Sequence, residues 1–394
     1  MAETGYRFIC LDPRKRKRSM VATVLDPLGP VRWLSLAPMS LRSFPETRSR
    51  AIAAAAAAIR QPRSALGRGL KLQLLKLQYN GARRLFLRNP DAVAVAWNGL
   101  NGTRRVFMDG AQDAGVQRLF FELCPFPDRI TCDPEGVNAA NMLPDTIGPY
   151  QTWLSGRGQV PDWRALGRDF RQRAPVVAAP AAASGPESAG ALQDAPSLTK
   201  PFLFAPLQVA GDSQLRLFGG AFPTVETFVQ ALGRACAALP AGWHLRIKEH
   251  PSSKIAYGDL IRSLAADLPV ILDNETDTFD LVRASRAVVT VNSSVGMEAM
   301  FFDKPVLACG RAFWAIDGVA RQAATEDDLA AAFAQPDSIT FDRAARDAFM
   351  GYLTEVYYPR LSAFDGPDGA TEADKIRARL MRGRPALPGL GPSA

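Results

Sequence analysis

Five short apolar runs between residues 200 and 310, each emptying into a polar loop and followed by a helical pattern, constrain this chain more than any other feature. Runs at 201–207, 243–247, 270–272, 287–291 and 305–307 read as strands, and amphipathic or short helical patterns at 224–239, 257–267, 278–284 and 295–302 read as the helices between them. Strand, loop and helix in repeating order demand a parallel sheet, because parallel neighbours need a crossover connection. The expectation is a doubly wound α/β domain with its ligands at the carboxyl ends of the strands.

A similar rhythm runs through the N-terminal part. Residues 7–11 and 20–25 read as strands, 47–60 and 67–88 as helices, and 92–97 as a buried strand that empties into Asn98-Gly99-Leu100-Asn101-Gly102. A helix at 103–114 and a strand at 118–122 follow. At 394 residues the chain exceeds one ordinary core, so two domains are expected. The Ala/Pro/Ser/Gly-rich stretch 174–198 cannot bury much surface and reads as the linker between them. The organisation expected is therefore an N-terminal Rossmann-like domain at 1–173, the linker at 174–198 and a second Rossmann-like domain at 199–340. A C-terminal helix at 341–366 and a tail at 367–394 would follow. The aromatic helical pattern at 346–364 reads as core packing, with a return across the domains as the alternative, and the last dozen residues read as disordered.

Charge is uneven. Residues 1–90 hold 18 Lys and Arg against four Asp and Glu, while the whole chain is only +8. A basic first quarter on an acidic body points to an anionic partner, with a solvated Arg-rich surface as the plain alternative. No zinc-finger spacing or RNP-type aromatic motif accompanies the arginines, so a membrane surface or acidic glycan is preferred to nucleic acid. Five scattered cysteines without a CxxC pair and two histidines argue against a zinc site and for a reducing compartment. The basic run Arg14 to Arg18 stands where a secretory signal needs an apolar core, and the longest apolar run, at 51–59, is about half a membrane span. A cytoplasmic protein, peripheral at most on the inner face of the membrane, is expected.

Three post-strand loops carry the chemistry. The first delivers Gln208, Asp212 and Ser213 to the sheet rim. Its carboxylate suits a base, a nucleophile or a sugar-hydroxyl acceptor, and equally an Asx turn or helix cap. In the second, Lys248-Glu249-His250-Pro251, two donors at one strand end suit phosphate oxygens, although a loop histidine is more often structural. The third runs from Asn292 through Ser293, Ser294 and Gly296 to Glu298. A capping serine and a helix start there suit an anion, and Glu298 can reach toward a ribose.

Together, PLQVAGDSQL, KEHP and TVNSSVGMEAMFFDKPV resemble the signature set of the capsular polysaccharide biosynthesis proteins of the KpsS/KpsC type. The resemblance covers about residues 200–310 well. It is weaker in the N-terminal half, where WNGLNGTRR, LFFELCPFP and DPEGVNAAN are similar to that group's acceptor-side domain. It implies a GT-B-like fold, two Rossmann-like domains facing across a cleft, and a β-Kdo glycosyltransferase that uses CMP-Kdo without a metal or other cofactor. It implies Asp212 as the catalytic carboxylate, supported by Gln208. Donor contacts would fall to Ser213, Lys248, His250, Pro251, Asn292, Ser293, Ser294, Gly296 and Glu298, and acceptor contacts to Asn98, Gly99, Asn101, Glu122 and Asn138. The partners implied are a nucleotide-sugar donor and an anionic lipid or glycan acceptor. A UDP-sugar transferase or epimerase of the same fold, and a non-catalytic capsule export or assembly factor, are the competing readings.

Overall fold

The computed structural model describes residues 5–13, 15–167 and 198–382, which form two compact α/β units. The first opens with β1 (Arg7–Leu11), α1 (Lys15–Leu25), β2 (Val31–Leu34), α2 (Thr47–Ala57) and α3 (Ala65–Leu87). β3 (Ala92–Trp97), α4 (Gly102–Asp113), β4 (Gln117–Leu123) and β5 (Ile130–Asp133) complete its sheet, in the order β2-β1-β3-β4-β5. β1 to β4 are parallel, and β5 joins the edge antiparallel to β4. Every residue of AVAVAW in β3 is buried, as a parallel strand covered on both faces requires.

Residues 20–25, expected as a strand, are instead the second half of α1. Val21, Val24 and Leu25 are buried there, at the i, i+3, i+4 spacing of one helix face. A six-residue apolar run fits strand and helix alike, and the strand at this point is β2, whose Val31 pairs with Phe8.

The second unit begins with α5 (Gly148–Ser155) and continues through β6 (Phe202–Pro206), α6 (Ser213–Phe218), α7 (Val225–Cys236), β7 (His244–Lys248) and α8 (Gly258–Ala265). Next come β8 (Val270–Leu272), α9 (Thr278–Ala284), β9 (Ala287–Thr290), α10 (Ser294–Met300), β10 (Val306–Ala308) and β11 (Arg321–Gln322). α11 (Glu326–Ala334) and α12 (Arg343–Tyr352) close it. The sheet is wholly parallel in the order β11-β10-β9-β6-β7-β8. Its first strand, β6, has its sequential successor β7 on one side and β9 on the other, which makes the β6/β9 seam the topological switch point.

The units divide at residue 143/144, upstream of the Ala/Pro-rich stretch, most of which (residues 174–197) lies outside the described residues. Residues 144–167 belong to the second unit because their aromatics pack on α12. Tyr150 meets Phe349 and Tyr352 edge-on at 5.2 Å, and Arg164 pairs with Asp303 and Asp347. After α12 the chain crosses back into the first unit. There the Tyr357 hydroxyl donates to Asp133 Oδ2 at 2.9 Å, and α13 (Gly369–Arg382) packs Ala373, Ile376 and Leu380 into the core with Phe8 and Val24. Residues 369–382, expected as tail, are thus a core helix whose apolar stripe is narrow and set among charges. The final dozen residues fall outside the described residues.

Candidate functional site

The first and third loops of the second unit meet across the switch point. Gln208 and Asn292 hold each other: Gln208 Nε2 donates to Asn292 Oδ1 at 2.9 Å and the Asn292 amide donates to Gln208 Oε1 at 3.3 Å. Asn292 Nδ2 donates to the Gln214 carbonyl at 3.1 Å. Gln208 Nε2 also reaches Asp212 Oδ2 at 3.3 Å, while Asp212 Oδ1 caps α6 by accepting from the Gln214 amide at 2.9 Å. Asp212 is therefore a helix cap and, in the same position, a half-buried carboxylate with unused lone pairs beside a buried amide. Ser213 is buried at the start of α6.

The second loop adds His250. Its Nδ1 accepts from the Ser252 amide at 3.1 Å, which leaves Nε2 to carry the hydrogen. Burial pushes the imidazole below its ordinary value, and the Asp212 charge works against that shift. Near neutral pH the ring is uncharged and presents one N–H donor. Pro251 follows in a turn closed by the Ser253 amide on the His250 carbonyl. Lys248 is placed differently from expectation: its Nζ donates to the carbonyls of Asn274 and Thr276, each at 2.7 Å. Two of its three hydrogens are thus committed to bracing the loop after β8, and burial lowers its pKa.

At the third loop, Ser293 caps α10 by accepting from the Val295 amide at 3.3 Å. Ser294 is exposed on the first turn and Glu298 half-buried one turn on. Gly296 is a packing residue: a Cβ there would lie 2.6 Å from Trp314 Cη2 and 3.1 Å from Thr290 Cγ2. Trp314 is 2% exposed and cannot give way. Gly296→Val is expected to cost about 3 kcal/mol, at the upper end of overpacking effects, read as a shift in the urea midpoint at constant slope.

Sequence reading missed two residues here. Arg311 stands three residues after the end of β10, its carbonyl 3.5 Å from Asn292 Nδ2 and its guanidinium exposed and 5.6 Å from the Phe218 ring centroid. It is a cation at the rim of the switch point, and only its place just after an apolar strand would have signalled it. Asn274 ties the second loop to the β8 loop through Glu249, accepting from its amide at 3.0 Å and donating to its carboxylate at 2.9 Å.

In the first unit, Asn98, Gly99, Asn101 and Glu122 come together at the carboxyl edge. Glu122 accepts from Asn98 Nδ2 and Trp97 Nε1, both at 2.9 Å, and Asn101 Nδ2 donates to Asn98 Oδ1 at 3.3 Å. Asn98 and Gly99 turn the chain with φ of 62° and 74°, and a Cβ on Gly99 would fall 2.4 Å from the Phe120 ring. Lys17, on the first turn of α1, stacks its ammonium 4.4 Å from the Trp97 ring centroid. Asn138 does not join them. β5 runs antiparallel and carries the chain back toward the amino end of β4, where Gln117, Pro134 and Ala140 line one shallow depression.

Residues 184–360 match the family described as capsule polysaccharide biosynthesis protein. Protein FixF of Sinorhizobium fredii is 28% identical over 283 residues, 70% of this chain and 62% of that protein. Capsule polysaccharide modification protein LipB of Neisseria meningitidis is 31% identical over 129 residues, 31% of this chain and 30% of that one. Capsule polysaccharide export protein KpsS of Escherichia coli is 28% identical over 162 residues, 40% of each. The chain thus spans less than two thirds of the length of each of these relatives. The solved structure of Thermosulfurimonas dismutans KpsC, beta Kdo 2,7 transferase, matches with a TM-score of 0.50 and 13% identity over 95% of this chain and 99% of that one, which shows a common two-unit Rossmann-like fold of GT-B type. Residues 184–360, the part matched by that family, carry all three loops of the second unit's site.

Proposed function

We propose that this chain is a glycosyltransferase of capsule or surface polysaccharide assembly that moves Kdo or a related ulosonic acid from a CMP-sugar to a lipid or glycan acceptor. The observation that carries the reading is the Gln208–Asn292 lock, which holds Asp212 at the switch point, where its charge acts on the His250 ring. In the reaction, the bond from the anomeric carbon to the phosphate oxygen breaks and cytidylate leaves with the electron pair. Its charge falls to the His250 Nε2–H, to Arg311 and to the helix start at Ser293 and Ser294, with no metal assigned a part. Glu298 lies within the same loop for the ribose. Asp212 either attacks the anomeric carbon or takes the proton of the acceptor hydroxyl. Acceptor recognition is assigned to Asn98, Asn101 and Glu122 of the first unit, and the protein works at the cytoplasmic face of the membrane.

The test is cytidylate release from CMP-Kdo generated in situ, with lysophosphatidylglycerol as acceptor, beside calorimetric binding of CMP and UDP. Binding of CMP with turnover supports the reading. Binding of UDP in its place favours a UDP-sugar enzyme of the same fold, and absence of nucleotide binding favours an assembly factor. Arg311→Ala is expected to weaken CMP binding about tenfold, the value of one charge-assisted phosphate contact; unchanged affinity removes Arg311 from the site.

A further inference from the structure

α3 is 23 residues long, about 34 Å at 1.5 Å per residue, and serves a strand of only six. Gln78, two-thirds along it, is level with the carboxyl end of β3, because its side chain meets Thr103 Oγ1 at the start of α4 at 2.9 Å. The helix ahead of Gln78 therefore reaches about 20 Å beyond the carboxyl edge of the first unit's sheet. That projecting part exposes Leu66 by 74% and Leu70 by 64%, with Leu74 also open, while Leu75, Tyr79 and Phe86 on the opposite face are buried.

Leu66, Leu70 and Leu74 share one stripe with Leu77, Gly81 and Arg84, by steps of three and four. Over that later part lies another segment: the Ser40 amide donates to the Leu77 carbonyl at 3.0 Å, and Arg84 donates to Ser40 Oγ at 3.2 Å. This segment turns Leu36, Met39 and Leu41 outward, Leu41 at 88% exposure. Six large apolar side chains are thus exposed on this helix and the segment laid over it. The segment's own charge has one sign: residues 47–90 contain ten Lys and Arg and no Asp or Glu, and of these Arg50 pairs with Asp113 and Arg83 with Glu46. Arg60, Arg63 and Arg68 at the projecting end are exposed. No described helix is long and apolar enough to cross a membrane.

We propose that this leucine face, ringed by arginine, lies in the interface of an anionic lipid bilayer. Exposed leucines contribute acyl-chain burial and the arginines attract headgroup phosphate, which is the composition of an interfacial helix rather than a spanning one. The surface projects from the carboxyl edge that carries Asn98 and Glu122, so docking brings that edge to the bilayer.

The full chain is sedimented with vesicles of phosphatidylcholine alone and of phosphatidylcholine with phosphatidylglycerol at about 3:1, at low and high salt. Binding to the anionic vesicles only, weakened by salt, is the expected result. The triple variant Leu66→Ser/Leu70→Ser/Leu74→Ser is expected to lower the bound fraction about tenfold with its melting temperature unchanged, since these side chains support no core. Arg60→Glu/Arg63→Glu/Arg68→Glu is expected to remove the salt-sensitive part. Equal binding to both vesicle types, or variants that bind like the parent, overturns the proposal. So does a leucine variant that dissociates an oligomer in lipid-free sedimentation while vesicle binding stays the same, which assigns the face to a second copy. The readout is lipid binding, so its failure leaves the transfer reading standing.

Discussion

Asp212→Asn is expected to lower sugar transfer about a thousandfold or more, the scale set by losing a positioned base or nucleophile, with nucleotide affinity changed less than about twofold. The substitution separates the two roles of this side chain. As a cap, Asp212 accepts from the Gln214 amide, and asparagine caps as well as aspartate, so α6 and the melting temperature are expected to survive. As a carboxylate, it brings charge beside His250 and Gln208, and asparagine has none. Restoration of turnover to Asp212→Gly by a small anion such as azide, with the opposite anomer formed, marks a nucleophile; rescue without a change of anomer marks a base. A variant as active as the parent assigns Asp212 to capping alone.

The legible part of this molecule was local. In the second unit β6, β8, β9 and β10 are short apolar runs bounded by turn residues, and the expected ranges 270–272 and 278–284 coincide with β8 and α9; β11 is the pair Arg321–Gln322, which no apolar run marks. Where a residue's role depends on chain far away, local pattern misled. The KEHP segment makes Lys248 read as a phosphate ligand, but the carbonyls that hold it belong to Asn274 and Thr276. Asn138 lies in DPEGVNAAN, whose resemblance assigns it to the acceptor side, yet an antiparallel edge strand sends it to the other end of the sheet. Asn292 stands in a helix-start motif that suits an anion, while its side chain is spent on locking the neighbouring loop. The division of the chain was obscured by composition: the Ala/Pro-rich stretch marks sequence that cannot build a core, whereas the boundary was decided by Tyr150 and Arg164 finding partners on α12 and at Asp303.

The Lys248 correction leads to the largest expected effect on stability. Under the second loop, Arg246 and Asp273 form an ion pair at 2.5 Å whose side chains are 2% and 5% exposed. Asp273 also accepts from the Thr276 amide and hydroxyl, both at 2.9 Å, and so shapes the turn whose carbonyls hold Lys248. Asp273→Ala leaves a guanidinium buried without its counter-charge and is expected to destabilise the chain by about 3–5 kcal/mol. The double change Arg246→Met/Asp273→Leu removes both charges and is expected to cost much less. Burial alone would raise the Asp273 carboxyl; hydrogen bonds from Thr276 and Arg246 outweigh it and hold the group below the usual carboxylate range. A carboxyl depressed on folding stabilises fully above its unfolded value of about 3.9 and loses that contribution as pH falls through the folded value. The gap between parent and Asp273→Ala is therefore expected to be flat from about pH 5 to 8 and to shrink below about pH 4, measured by urea unfolding across that range. A single variant within about 1 kcal/mol of the parent at pH 7 would mean that water reaches the pair, and that the second loop is not braced from beneath.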